Sequence, residues 1–195
     1  RETADHSLMS MAGLDEDEDT FAPALKTSRR RAVWLGINLI TALAASAVIG
    51  LFDKTIEQVV ALAVLMPIVA SMGGIAGSQV LTLVIRGQAL GHLSGANFRW
   101  LFNRELIVAA INGALWAVVI AVVTFAWFHD IKIALIIGSS IIINLLVAAI
   151  TGAALPLILK ARGIDPALAG GVILTTVTDV VGFMTFLGLA TLFYL

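Results

Sequence analysis

The sequence predicts an all-α membrane protein whose bundle contains five transmembrane helices. Three observations carry that prediction. Of 195 residues, 59% are hydrophobic and only 13% are charged, with a mean hydropathy of +1.01, whereas soluble domains carry about 25% charged residues. Five apolar runs each reach the roughly 20 residues that a helix needs to cross the hydrocarbon. None shows the alternation over about 10 residues that marks a barrel strand, and closed barrels are the other structure able to satisfy its backbone in lipid. The chain has no cysteine, which excludes disulfides and thiolate metal sites and favours a hard cation over a soft one. A net charge of −1 gives no reason to expect a nucleic-acid partner.

Residues 1–31 are polar and read as a cytoplasmic connecting segment. They hold the acidic run Asp15-Glu16-Asp17-Glu18-Asp19 and then Lys26, Arg29, Arg30 and Arg31. Such a run is a solvated linker or an acidic patch for cations or a regulatory domain. Leu8, Met9, Met11 and Leu14 suggest the last turns of a helix ahead of it. The chain opens Arg1-Glu2-Thr3, without an initiator Met or an apolar leader. It is therefore expected to be part of a longer protein with a soluble portion upstream.

Residues 32–195 form the membrane part. The spans are expected at about Ala32–Phe52, Val59–Ile85, Leu106–Phe128, Ile133–Leu159 and Pro166–Leu195. One side collects Lys26, Arg29, Arg30, Arg31, Arg86, Arg99, Arg104, Lys160 and Arg162, and the other only Lys54 and Lys132. The excess of Lys and Arg marks the cytoplasmic side, so the N-terminus is expected inside and, after five crossings, the C-terminus outside. Trp34, Trp100 and Trp127 sit at span ends, where interfacial aromatics gather. Gly87–Asn103 reads as an amphipathic segment along the cytoplasmic surface.

The second span looks irregular. Pro67 removes a backbone donor, and Gly73, Gly74 and Gly77 lower helix propensity over one turn. Ser71, Ser78, Gln79 and Thr82 add polar atoms at membrane depth. Broken backbone in a membrane survives only where protein or a water-lined cavity surrounds it, so Gly73, Gly74, Ser78 and Gln79 are candidate pore-lining residues. The alternative is close helix packing on small residues. Asn38, Thr41, Ser46, Asn112, Gly113, Ser139, Ser140, Asn144 and Pro156 read as packing or interhelical hydrogen-bonding residues, with Asn112 and Asn144 the better candidates for reaching a hydrated ion. Glu105 beside Arg104 reads as an interfacial ion pair.

The fifth span carries one charge, Asp179. A carboxylate at the membrane centre costs about 2.5–3.5 kcal/mol on insertion scales, so it needs a partner, a cavity or a cation. Thr175, Thr178, Asp179 and Gly182 recur at helical spacing and are expected to share one face, with Gly171 a turn before them. Asp179 and the Thr175 hydroxyl are candidate metal ligands; Gly171, Thr178 and Gly182 are candidate pore-lining positions. Oxygen-only, anionic sites suit Mg2+ or Ca2+. A protonated structural Asp179 and a proton relay are the competing readings. One carboxylate is too little for a divalent ion with six oxygen ligands, and five helices are few to enclose a hydrated path. A homodimer on a twofold axis relieves both problems.

MPIVASMGGIAGSQVLTLVIRGQALG (Met66–Gly91) and GIDPALAGGVILTTVTDVVGF (Gly163–Phe183) resemble the second- and fifth-helix signatures of MgtE-type magnesium channels. The resemblance covers roughly Arg31 to Leu195. It implies a homodimer in the lipid bilayer with the pore on its twofold axis, Mg2+ at the level of Asp179, and a cytosolic regulatory domain upstream. Asp165 matches an acidic position that in the family can face regulatory ions on the cytoplasmic side. Ile75 departs from the pattern, because many members carry Asn after the Gly-Gly pair. The expected function is voltage-driven Mg2+ uptake, with Mn2+, Co2+ and Ca2+ left open as substrates. A proton- or Na+-coupled exchanger and a membrane anchor without flux are the alternatives. An enzyme is not expected, since His6, His92 and His129 are scattered over tail and loops.

Overall fold

The computed structural model describes residues 2–14 and 21–195; the acidic run Asp15–Asp19 lies outside the described residues. The elements are α1 (Glu2–Met11), α2 (Ala24–Gly50), α3 (Asp53–Gln58), α4 (Ala61–Ala89), α5 (Gly95–Phe128), α6 (Ile131–Ala161) and α7 (Pro166–Tyr194). Five of them, α2 and α4 to α7, are long and apolar enough to cross a membrane. They correspond to the five expected spans.

Three boundaries differ from expectation, each for a physical reason. The first spanning helix begins at Ala24, directly after Pro23. Lys26 and Arg29–Arg31 form its first turns, because basic residues are good helix formers and need not end a helix where the apolar run ends. The expected surface segment Gly87–Asn103 is instead divided between two spans. α4 runs on to Ala89, and Ser94 precedes a 34-residue α5, about 51 Å long at 1.5 Å per residue. Finally, α4 is unbroken through Gly73 and Gly74. Glycine lowers propensity by about 1 kcal/mol per residue, but opening the ladder in lipid strands polar groups at several kcal/mol each.

α6 is the centre of the bundle. It packs against α4, α5 and α7, and its most apolar stretch is 61% buried, against 6% for α2. The main core joins Leu62, Leu65 and Val69 of α4 to Ile137 and Ile141 of α6 and to Phe186 and Leu187 of α7. α4, α6 and α7 are thus mutually packed. α5 leans on α6 and scarcely meets α4, while α2 lies against α7.

The turns are short and capped. His129, with φ 54°, closes α5, and Asp130 accepts from Lys132 N at 2.8 Å to open α6. Tyr194 Oη donates a hydrogen bond to the same carboxylate, tying the end of α7 to the start of α6. Burial pushes the Asp130 carboxyl up, but the Tyr194 hydroxyl, the Lys132 and Ile133 backbone amides and the Lys132 charge outweigh it, leaving it below its ordinary value. Between α2 and α4, the short α3 buries Thr55, whose hydroxyl meets that of Thr191 at 2.8 Å.

Candidate functional site

Asp179 is half-buried on α7, and among the described residues no side chain forms an ion pair with it. Four residues before it, Thr175 is exposed; four before that, Gly171 has open space where a Cβ would stand. These three positions form one i, i+4 row. The Thr175 hydroxyl donates to Gly171 O at 2.9 Å. Its proton is thereby turned inward along the helix, and its lone pairs are left facing out, the orientation a cation or its water shell requires.

The row borders a cavity of about 590 Å³ at the end of the bundle that holds Arg31. Gly171 and Thr175 of α7 meet Ser78 of α4 there, and Arg31, Trp34 and Asn38 of α2 form the facing wall, with the Met11–Leu14 turn after α1 over its end. Asp179 lies one turn beyond Thr175, about 6 Å along the axis. Gly74, one turn before Ser78, also faces open space.

The remaining candidate residues are divided. Thr178 is completely buried and donates to Leu174 O at 3.0 Å and Thr175 O at 3.1 Å. Gly182 and Gly73 are buried as well, both against the Asn144 side chain of α6. The face expected to unite Thr175, Thr178, Asp179 and Gly182 therefore splits: Thr175 and Asp179 point outward, Thr178 and Gly182 inward. Gln79 is exposed but borders a different groove, beside Arg104 and Glu105. The Arg104–Glu105 pair forms with an N–O distance of 3.3 Å, and Glu105 is buried. Asn112 is exposed on the outer face of α5.

Asp165 stands at the start of α7. One oxygen accepts from Ala167 N at 2.9 Å, capping the helix, and the other lies 3.0 Å from His6 Nε2 of α1. A contact across 159 residues thus holds α1 beside the cavity mouth. Sequence reasoning treated Asn38 as a packing residue, yet it lines the cavity. The signal was available: Arg31, Trp34, Leu35 and Asn38 follow the i, i+3, i+4, i+7 pattern of one helix face. Among the described residues, no three His, Asp or Glu side chains converge on one point.

Sequence comparison relates the chain to known proteins. Magnesium transporter MgtE of Bacillus subtilis is 32% identical over 189 residues, covering 97% of this chain and 42% of that protein. Proteins of the same name from Enterococcus faecalis and Thermus thermophilus are 27% identical over 183 residues and 30% identical over 162 residues. These matches cover 94% and 83% of this chain, and 40% and 36% of those proteins. The chain thus spans about two fifths of the length of the curated relatives it matches. Residues 66–189, which hold α4 from Met66 onward, all of α5 and α6, and α7 through Leu189, match the MgtE family, described as a divalent cation transporter. With a family match over most of its length and five apolar helices, this multi-pass membrane chain belongs to the MgtE divalent cation transporter family.

Proposed function

We propose that the chain forms the membrane path of a Mg2+ channel or facilitator driven by the membrane potential. The observation that carries this reading is the outward row Gly171–Thr175–Asp179, whose first two members line the cavity together with Ser78 and whose third lies one turn beyond it. It supplies one carboxylate and hydroxyl oxygens, with no nitrogen or sulfur ligand. Oxygen donors of this kind suit a hard divalent ion that keeps several of its waters. Moving two charges inward across 100 mV releases about 4.6 kcal/mol, twice the per-charge figure.

The same row supports a homodimer. Ser71, Ser78, Thr175 and Asp179 lie on faces of α4 and α7 that the subunit leaves uncovered or half-covered. Polar side chains in a membrane face a bundle interior or a water-filled cavity rather than lipid. A second copy on a twofold axis covers them and brings two Asp179 carboxylates to one path. The path is then lined by Gly74, Ser78, Gly171, Thr175 and Asp179, with Gly73, Thr178 and Gly182 behind it. The Arg31 end is cytoplasmic on the Lys and Arg distribution, and an upstream cytosolic domain regulates access there, beside Asp165.

Flux in proteoliposomes tests the reading. With a potassium diffusion potential imposed and an internal Mg2+ indicator, uptake follows voltage and leaves internal pH unchanged. Uptake accompanied by proton or Na+ counterflux would replace the channel with a coupled exchanger. A reconstituted chain with no uptake at any potential would leave the anchor reading.

A further inference from the structure

Asn144 is completely buried in α6, at the point where α4 and α7 meet. Its Nδ2 donates to the Val69 carbonyl of α4 at 3.0 Å. That bond fixes the amide's orientation, because exchanging its ends would set two acceptors against each other. The amide also touches two glycines on different helices. A Cβ at Gly73 of α4 would overlap Nδ2 outright and stand 2.9 Å from Cγ. At Gly182 of α7 it would stand 2.8 Å from Nδ2 and 3.1 Å from Val69 Cγ1. One side chain is thus the spacer between the helix that carries Ser78 and the helix that carries Asp179.

The amide leaves a defect. Asn144 Oδ1 is buried and no protein group donates to it, although an unmet buried acceptor is destabilising. An aliphatic side chain of similar size would fill the space without it. Tight packing alone therefore does not account for an amide at this place, whereas a polar spacer bonded to the α4 backbone fixes position as well as volume. Gly182 lies three residues from Asp179, and Gly73 five from Ser78, so a displacement at the spacer passes along rigid helices to both.

We infer that Asn144 is a positioning residue for cation selectivity: its amide, wedged between Gly73 and Gly182, sets the separation of the two helices that border the proposed path. This rests on the transport reading above. Sub-ångström settings matter there, because Mg2+ binds oxygen at about 2.0–2.1 Å and Ca2+ at about 2.3–2.6 Å.

The test compares wild type with Asn144→Leu and with Gly73→Ala, alone and combined with Asn144→Ala. Two quantities are measured in reconstituted, folded protein. One is the ratio of Mg2+ to Ca2+ uptake. The other is the α4–α7 separation, from spin labels at the exposed Leu83 and Ile173. Asn144→Leu is expected to lower the uptake ratio about tenfold, a 1.4 kcal/mol change between ions that differ by a few tenths of an ångström, and to shift the separation. Gly73→Ala does the same, and Asn144→Ala restores part of the ratio by making room for the added methyl. Should Asn144→Leu fail to assemble, Gly182→Ala presses on the same amide from α7, and the same two measurements decide. A folded Asn144→Leu with wild-type ratio and separation overturns the inference. The separation reads out even if the wild type carries no ion, so failure of the spacer and failure of the transport reading are distinguishable.

Discussion

Asp179→Asn separates a transport role from a structural one. The substitution keeps size and shape and removes the only charge on α7. The half-buried carboxylate has no ion-pair partner among the described residues, so replacing it by an uncharged amide relieves part of the roughly 2.5–3.5 kcal/mol that a charge costs there. The variant is expected to be at least as heat-stable as wild type. Transport moves the other way. At an effective dielectric of about 20, unit charges 4 Å apart attract by about 4 kcal/mol, and a divalent ion doubles this. Water around the open side of the site screens much of it, yet about 1.4 kcal/mol surviving is already a tenfold effect. Mg2+ uptake per folded chain, from an entrapped indicator at fixed potential, is expected to fall at least about tenfold. Wild-type uptake together with raised stability would refute the reasoning and return Asp179 to a structural role.

Four further variants test other parts of the structure. Thr175→Val removes an exposed hydroxyl beside the cavity and is expected to cut Mg2+ uptake several-fold. Thr178→Val removes a buried hydroxyl bonded to its own helix, and should leave uptake intact with a stability change of about 1 kcal/mol or less; equal losses in the two variants would contradict the split between the faces. Ile75 is 62% exposed on α4, and Ile75→Asn is expected to lower the Mg2+ concentration for half-maximal uptake; an unchanged value excludes that position from the path. Tyr194→Phe deletes the hydroxyl bonded to Asp130 and is expected to cost about 1 kcal/mol at pH 7. Because the Asp130 carboxyl is held below its ordinary value, that contribution is present above about pH 4 and fades as pH falls through the folded-state value. Melting curves at pH 7 and pH 3.5 should show the gap between variant and wild type narrowing in acid.

Much of the architecture was legible because lipid leaves few options. Five runs of sufficient length became five helices in the expected order. What spacing could not decide was which side of a helix faces its own bundle. Thr175 and Thr178 are one turn apart, yet contact with α4 and α6 buries the second and spares the first. Ser78 and Gln79 are adjacent in sequence but about 100° apart around the helix, and they border different grooves. The Gly-Gly pair of α4 suggested a break, whereas its first glycine makes room for a side chain 71 positions later. No periodicity within one span shows a contact among three helices. The i, i+3, i+4, i+7 row on α2 was readable, but its polar members resembled ordinary packing residues.

The central place of α6 also bears on how the bundle is made. Among the described residues α2 and α4 scarcely touch, α4 and α5 meet only lightly, the helix that joins α4 to α5 is the fourth span in chain order, and α2 packs on the fifth. During synthesis the first three spans enter the bilayer with almost nothing to pack against. The Val69 carbonyl of α4 waits for the Asn144 amide of α6, and Thr55 waits for Thr191 near the end of the chain. Assembly must therefore come late and nearly all at once. A lesion in α6 would act on biogenesis before it acted on transport, leaving inserted but undocked helices for membrane quality control to remove.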